Sequence, residues 1–295
     1  MRSRLAGLLA LVMIGALLLG GCGGEQGLTA EEVVDKVMES YESLESYEFV
    51  MDATQDLEFQ DPESGETVAM HNTITGAGKL DMAAERLYMS MTTTVESADI
   101  PGEEEFEMPS FDTEMYFVEN KVYMYMSIMD MWAQSEIPEA LTEQMWAQGD
   151  RMKEQMELLE KAEVTLLKDE VVAGRPCYVL DAQVSAELMQ EMLMDQLTEL
   201  MFDQGGLLAA GLENLEFNIY SVRYWVDKDD FMVHRINTVM DVNIGIQGPE
   251  EAVASAQIMM DMNMELSGFN EPMEIELPEE ALNAPDMTEM GTITE

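Results

Sequence analysis

The chain has 295 residues, 47% of them hydrophobic, with 60 Asp and Glu against 14 Lys and Arg and a formal net charge of −46. That is enough apolar material for a packed core, and far too much negative charge for a surface that neutralises phosphates, so nucleic acid is excluded as a partner. Two His and two Cys leave little for a zinc site or a His-based nucleophile, whereas Met, at 30 residues, is heavily over-used.

Arg2 and Arg4 precede an apolar run from Leu5 to Leu19. The run is shorter than the roughly 20 residues of a membrane span and has the form of a signal peptide. Leu19-Gly20-Gly21-Cys22 follows and resembles a bacterial lipobox. The expectation is that residues 1–21 are removed and that Cys22, diacylated on sulfur, becomes the new N-terminus. Two acyl chains make a stable anchor where one is marginal. Residues 22–28 are then the lipidated Cys and a flexible tether, and the protein sits on the outer face of a membrane in the cell envelope. Cys177 is left as the lone thiol, so no intrachain disulfide is expected.

Thr29-Ala30-Glu31-Glu32 has the spacing of a capping box and predicts a helix over 30–45 with Val33, Val34, Val37, Met38, Tyr41 and Leu44 on one face. From Tyr47 to Phe59 the period changes to two, as in a half-buried strand, and 61–65 is a turn. Further strands are expected over 67–82 and 87–91. An acidic loop covers 96–110, and a hairpin joins 115–118 to 122–126. A helix is expected over 138–161, with Pro138 in its first turn. A hairpin around Gly174 joins 164–172 to 177–183, and a second amphipathic helix spans 185–202. Strands over 215–226 and 231–244 flank the turn at 227–230, and strands over 254–266 and 273–277 close the domain. Hairpins dominate and no βαβ rhythm is visible, so the predicted class is antiparallel α+β, with one domain over 29–282 and a loose acidic tail over 283–295.

Three motifs then carry a resemblance. Val172-Ala173-Gly174-Arg175-Pro176-Cys177-Tyr178-Val179-Leu180 is similar to a "v-x-G-x-x-C-Y-x-L" hairpin. Tyr224-Trp225-Val226-Asp227 opens a "W-x-D" hairpin. Asn270-Glu271-Pro272 begins an "N-x-P" segment that runs to Ala281. With the lipobox and the capped first helix, their order resembles the LolA-like lipoproteins, notably the LppX/LprG group, over residues 28–282. The resemblance implies a strongly curved antiparallel sheet, an unclosed half-barrel with helices packed in its mouth. It further implies an apolar cavity for acyl chains or another hydrophobic ligand, with a role in lipid or lipoprotein transfer. It implies no catalytic residue.

Apolar alternation selects the inward side of each strand. The residues expected to line the cavity are Phe49 and Met51, then Leu87, Met89 and Met91, then Phe217 and Ile219, and finally Met260, Met262 and Met264. Leu193, Leu197 and Leu200 of the 185–202 helix cover the open side. Met is flexible and polarizable, suited equally to a core and to a deformable lipid pocket. Thioethers are also soft ligands for Cu(I), but no His or Cys cluster supports a metal, and none is predicted. Asp227, Asp229 and Asp230 lack the glycine and terminal Glu of a calcium loop and read as a turn. No hydrolase or phosphate-loop motif is present, so the expectation is a monomeric binding protein with no cofactor and no catalytic site. The alternative is a sensing or interaction module of the same fold, its cavity filled by its own side chains.

Overall fold

A computed structural model describes residues 27–60, 65–99, 101, 109–137, 142, 146, 159, 161–189, 215–247 and 253–286. Cys22, Leu193, Leu197 and Leu200 lie outside the described residues, as does most of the predicted 138–161 and 185–202 helices. Thr142, Trp146, Leu159, Lys161 and Ala186–Met189 are helical.

Helix α1 spans Ala30–Tyr41, ending four residues earlier than the periodicity predicts. Its capping box is formed: the Glu32 N–H donates to Thr29 Oγ1 at 3.2 Å, and the Thr29 N–H donates to Glu32 Oε2 at 2.8 Å. Two of the orphan N–H groups of the first turn are satisfied in this way.

Twelve strands follow: β1 (Ser46–Gln60), β2 (Thr67–Asp81), β3 (Arg86–Asp99), β4 (Phe111–Val118), β5 (Lys121–Met126), β6 (Met131–Glu136), β7 (Glu163–Leu166), β8 (Glu170–Val172), β9 (Arg175–Gln183), β10 (Leu215–Asp227), β11 (Val233–Gln247) and β12 (Val253–Ser267). A four-residue helix, α2, spans Glu279–Leu282. All strands join one antiparallel sheet in the order β6-β5-β4-β3-β2-β1-β12-β11-β10-β9-β7, with β8 beside β9. The sheet is curved and unclosed, because β6 and β7 end the path and do not pair with each other. β1 is the seam, zipped to β2 on one side and to β12 on the other over nearly its whole length.

Four sequence expectations change. β3 runs on to Asp99, so the acidic loop starts later than residue 96. β6 was not expected. The 164–172 strand is two short strands. Residues 273–277 form no ladder. Instead, Ile275, Leu277 and Ala281 lie as a strap on the outer face of β3–β6, against Tyr88, Tyr116, Tyr123 and Trp132. Burial under the strap, next to Tyr88 and Glu114, pushes the Tyr116 hydroxyl up to about 12. The tail expectation also changes at its start. Gln134 of edge strand β6 donates from its backbone to Pro285 O at 2.9 Å and from its side chain to Ala284 O at 2.7 Å, so the strap covers a sheet edge that would otherwise be open to pairing.

The three motifs turn out to be structural joints. Ala173 (φ 49°) and Gly174 (φ 85°) make the two-residue turn between β8 and β9, where both positions need positive φ and Gly takes one of them at no steric cost. Arg175 and Glu170 of this hairpin reach the second motif. Arg175 donates to Asp227 at 3.0 Å, and the Trp225 indole N–H donates to Glu170 at 2.8 Å. Asn270 ties the end of β12 to the α1–β1 junction: its Oδ1 accepts from the Glu45 N–H at 2.7 Å and its Nδ2 donates to Ser43 O at 3.2 Å.

Cys177 is a free thiol, fully buried beneath Val172, Val179 and Trp225, and burial pushes its pKa up. An alkylating reagent is therefore expected to leave the folded protein unlabelled and to add to Cys177 once the chain is denatured without reductant. Rapid labelling of the native protein would contradict this packing.

Candidate ligand-binding face

Residues directly opposite in an antiparallel pair share a face, so the register assigns every strand side chain to one side of the sheet. One row reads Met124, Met115, Met89, Gly78, Phe49, Leu266 from β5 to β12. The next reads Met126, Thr113, Met91, Gly76, Met51, Met264, Ile236, Tyr224, Leu180 from β5 to β9. A third passes through Ile74, Ala53, Met262, Thr238 and Val222, and a fourth through Val95, Asn72, Gln55, Met260 and Met240. This is the inner face. It carries no Asp, Glu, Lys or Arg in these rows.

The charges are on the other side. Lys79 meets Glu48 at 3.2 Å, Arg223 meets Asp181 at 2.8 Å, His71 meets Asp56 at 2.6 Å, and Arg235 meets Glu265. These are cross-strand pairs of the outward register. The period-two pattern has thus placed a charged ladder outside and an apolar ladder inside.

The inner face is closed at one end. Val33, Val34 and Val37 of α1 pack with Leu159 against Leu180, Val222, Tyr224, Val226, Val233, Ile236 and Leu266. Burial there drives the Tyr41 and Tyr224 hydroxyls well above the ordinary tyrosine value. At the other end Trp146 stands edge-on to Phe117, ring centroids 5.2 Å apart. Between these covers the side chains of Met51, Met89, Met91, Met115, Met124, Met260, Met262 and Met264 are only half buried.

Of the cavity residues predicted from sequence, Phe49, Met51, Leu87, Met89, Met91, Phe217, Met260, Met262 and Met264 stand in the inner register. Ile219 does not. A β-bulge between Phe217 and Ile219 pairs Ile219 with Asp241 on the outer face, where it is 49% exposed. An inserted residue reverses the alternation beyond it. Sequence reasoning also missed Met115, Met124 and Met240, which continue the same apolar rows, and the polar pair Gln55 and Asn72 among them. A pocket of about 500 Å³ lies elsewhere, at the far end of the sheet, between largely polar residues that include Glu58, Gln60, Glu216, Asn243 and Gln257.

A second constellation brings ligand atoms of Asp227, Asp230 and His234 within 4.8 Å of one another. Arg175 already lies on both carboxylates, 3.0 Å from Asp227 and 3.7 Å from Asp230, so the cation of this corner is a guanidinium. Burial alone would raise the Asp227 carboxyl. The Asp229 N–H and the Arg175 guanidinium outweigh it and hold the group below the ordinary carboxylate value.

Among the described residues no helix is long and apolar enough to cross a membrane. The sequence matches a family of unknown function, DUF6612, over residues 29–286. No curated protein matches it. In structure the chain is similar to LprF from Mycobacterium bovis, with 11% identity and a TM-score of 0.44 over 84% of this chain and 96% of that one. It is similar to the Mycobacterium tuberculosis lipoprotein LppX, with 11% identity and a TM-score of 0.38 over 83% and 96%. A LolA superfamily protein from Nitrosomonas europaea aligns at 9% identity with a TM-score of 0.21, over 86% and 96%.

Proposed function

The chain belongs to the DUF6612 family, and from its geometry we propose that it is a membrane-anchored extracytoplasmic lipoprotein that binds a lipid or other hydrophobic ligand on the inner face of its sheet. The observation that supports this best is the continuous, uncharged, half-buried Met surface between the two covers. A dry core would bury such side chains, and a solvated face would carry charge. At about 4.8 Å per strand, the row from Met124 to Leu266 is roughly 25 Å long, room for an extended acyl chain. Thioether side chains adapt to chains of different length and branching. The role is binding, in the service of lipid or lipoprotein transfer, and not catalysis.

Native mass spectrometry of protein purified from its own membranes tests this directly, with a co-purifying lipid as the expected result. Met89→Asp sets a charge in the first apolar row, and an unpaired buried charge costs several kcal/mol or more. Lipid content is expected to fall at least tenfold while the thermal midpoint stays within a few degrees, because Met89 is only half buried. Met262→Trp should fill the third row and have a similar, milder effect. Full lipid loading in a folded Met89→Asp protein would place the ligand somewhere else.

The anchor is the second element of the proposal. Cys22→Ser should release the protein from the membrane or leave an uncleaved precursor. Normal cleavage with retained membrane binding would remove Cys22 from the account.

One observation favours the alternative, a module filled by its own side chains. Phe49 lies across Gly78, and Met51 and Met91 both reach over Gly76. If lipid-free protein from native membranes is fully folded and Met89→Asp changes nothing but stability, the filled module is the better reading.

A further inference from the structure

The inner face has one polar island. Asn72 of β2 stands in the fourth row, between Val95 and Gln55, with Met260 beyond Gln55 and Ile74 and Met70 on either side along its own strand. It is 5% exposed. Its Nδ2 has a long contact of 3.4 Å to Gln55 Oε1, and its Oδ1 is buried with no hydrogen-bond partner. Thr238, in the neighbouring row, is also buried. A buried acceptor left unmade is costly, and an aliphatic side chain at this position would carry no such cost. On a face made mostly of apolar side chains, the asparagine is explained if a bound ligand supplies the missing donor.

We infer that Asn72 is the polar anchor of the ligand site, and that it selects a neutral amphiphile bringing a hydroxyl or amide N–H to the middle of the inner face. This rests on the proposed ligand-binding role. The ligand class follows from the chemistry around it. The four rows hold no Lys or Arg, so an anionic headgroup finds no counter-charge there. A hydrocarbon or a simple ester has no proton to donate. An acyl chain carrying a neutral hydroxyl or amide satisfies Oδ1 and leaves its tail on the Met rows. Gln55 offers a second amide for the same headgroup.

The test uses full-length protein stripped of endogenous lipid, incubated with equimolar monoolein and methyl oleate, and separately with monoolein and oleate, and read by native mass spectrometry. The two neutral probes share a chain and differ in hydroxyl groups. Wild type is expected to take up monoolein over methyl oleate by about tenfold, the order expected of one well-placed hydrogen bond, and to prefer monoolein to oleate. Asn72→Leu should bring the monoolein to methyl oleate ratio to about one with total occupancy kept, and its thermal midpoint should be equal to or above that of wild type. Asn72→Val serves as a second variant if the leucine proves too long. An unchanged ratio in folded variants would overturn the anchor and leave the apolar face standing as a ligand site, as it would if Oδ1 merely holds a water. Preference for oleate would overturn the ligand class. Failure of wild type to bind any of the three would overturn the ligand-binding reading, and the anchor with it.

Discussion

Replacing Asp227 by asparagine is expected to destabilise the protein by about 3 kcal/mol at neutral pH, since bonds to a charged group contribute roughly 1.5–3 kcal/mol each and this carboxylate makes two. Its Oδ1 accepts from the Asp229 N–H at 2.7 Å, and its Oδ2 accepts from Arg175 at 3.0 Å. The side chain is 1% exposed. The asparagine keeps the shape, loses the charge, and turns one acceptor into a donor that faces the guanidinium. What is lost is the joint at which the β8–β9 hairpin meets the β10–β11 turn, on the end of the sheet that α1 closes.

The pH dependence separates this from a general loss of packing. The folded pKa of Asp227 lies below its unfolded value of about 3.9. A depressed carboxyl contributes its stability in full above the unfolded pKa and loses it as pH falls through the folded one. The gap in unfolding free energy between wild type and Asp227→Asn should therefore be constant from pH 7 to about pH 5 and close as the pH drops below about 4. The many other carboxylates titrate in both proteins and cancel in the difference. Denaturant melts at pH 7, 5 and 3 measure it. A gap as wide at pH 3 as at pH 7 would mean that Asp227 acts by shape and not by charge. High salt should narrow the gap less than it weakens exposed cross-strand pairs such as Lys79 with Glu48, because the Asp227 carboxylate is buried even though Arg175 is half exposed.

The sheet was readable wherever alternation runs unbroken. Phe49, Met51, Met260, Met262 and Met264 fall on the inner face because a strand sends every second side chain the same way, and their outward neighbours are charged. The outward turn of Ile219 has a signal in the sequence: the apolar phase is odd at Leu215 and Phe217 and even at Tyr220, Val222 and Tyr224. A slip of phase inside one strand is what a bulge produces. Met273, Ile275 and Leu277 alternate as a strand does, yet Ile275 and Leu277 lie in a strap on the outer face. Alternation reports an extended segment with one apolar side, and whether its backbone pairs is decided by which neighbours remain unpaired. Asn72 is hidden in the sequence for the opposite reason. One polar residue in an apolar row looks like noise in a pattern, and its meaning depends on the partner its oxygen lacks, which no local sequence shows.

Gly78→Ala should be the most damaging small substitution on the inner face. Phe49 stands directly opposite Gly78, and its ring covers the glycine. A Cβ added there would lie 2.2 Å from Phe49 Cζ, 2.4 Å from Cε1 and 2.7 Å from the Tyr88 carbonyl oxygen. The carbonyl belongs to β3, held in the ladder beside β2, and cannot yield without moving the strand. The expected cost is about 2–3 kcal/mol, the upper part of the range for overpacking, and valine should cost more. Gly76→Ala is the control, two residues along the same strand. Its Cβ would meet Met51 Cγ at 3.0 Å and Met91 Cγ at 3.2 Å, both on flexible side chains, and the Ser90 carbonyl at 3.0 Å, so its cost should be about 1 kcal/mol. Pairing Gly78→Ala with Phe49→Ala in a double-mutant cycle divides the clash into its two parts. The ring's share is relieved in the double mutant and the carbonyl's share persists, so the two changes should couple favourably by about 1 kcal/mol and not cancel. If Gly78→Ala proves no worse than Gly76→Ala, Phe49 is not seated on the glycine, and the first apolar row is more open than its contacts describe.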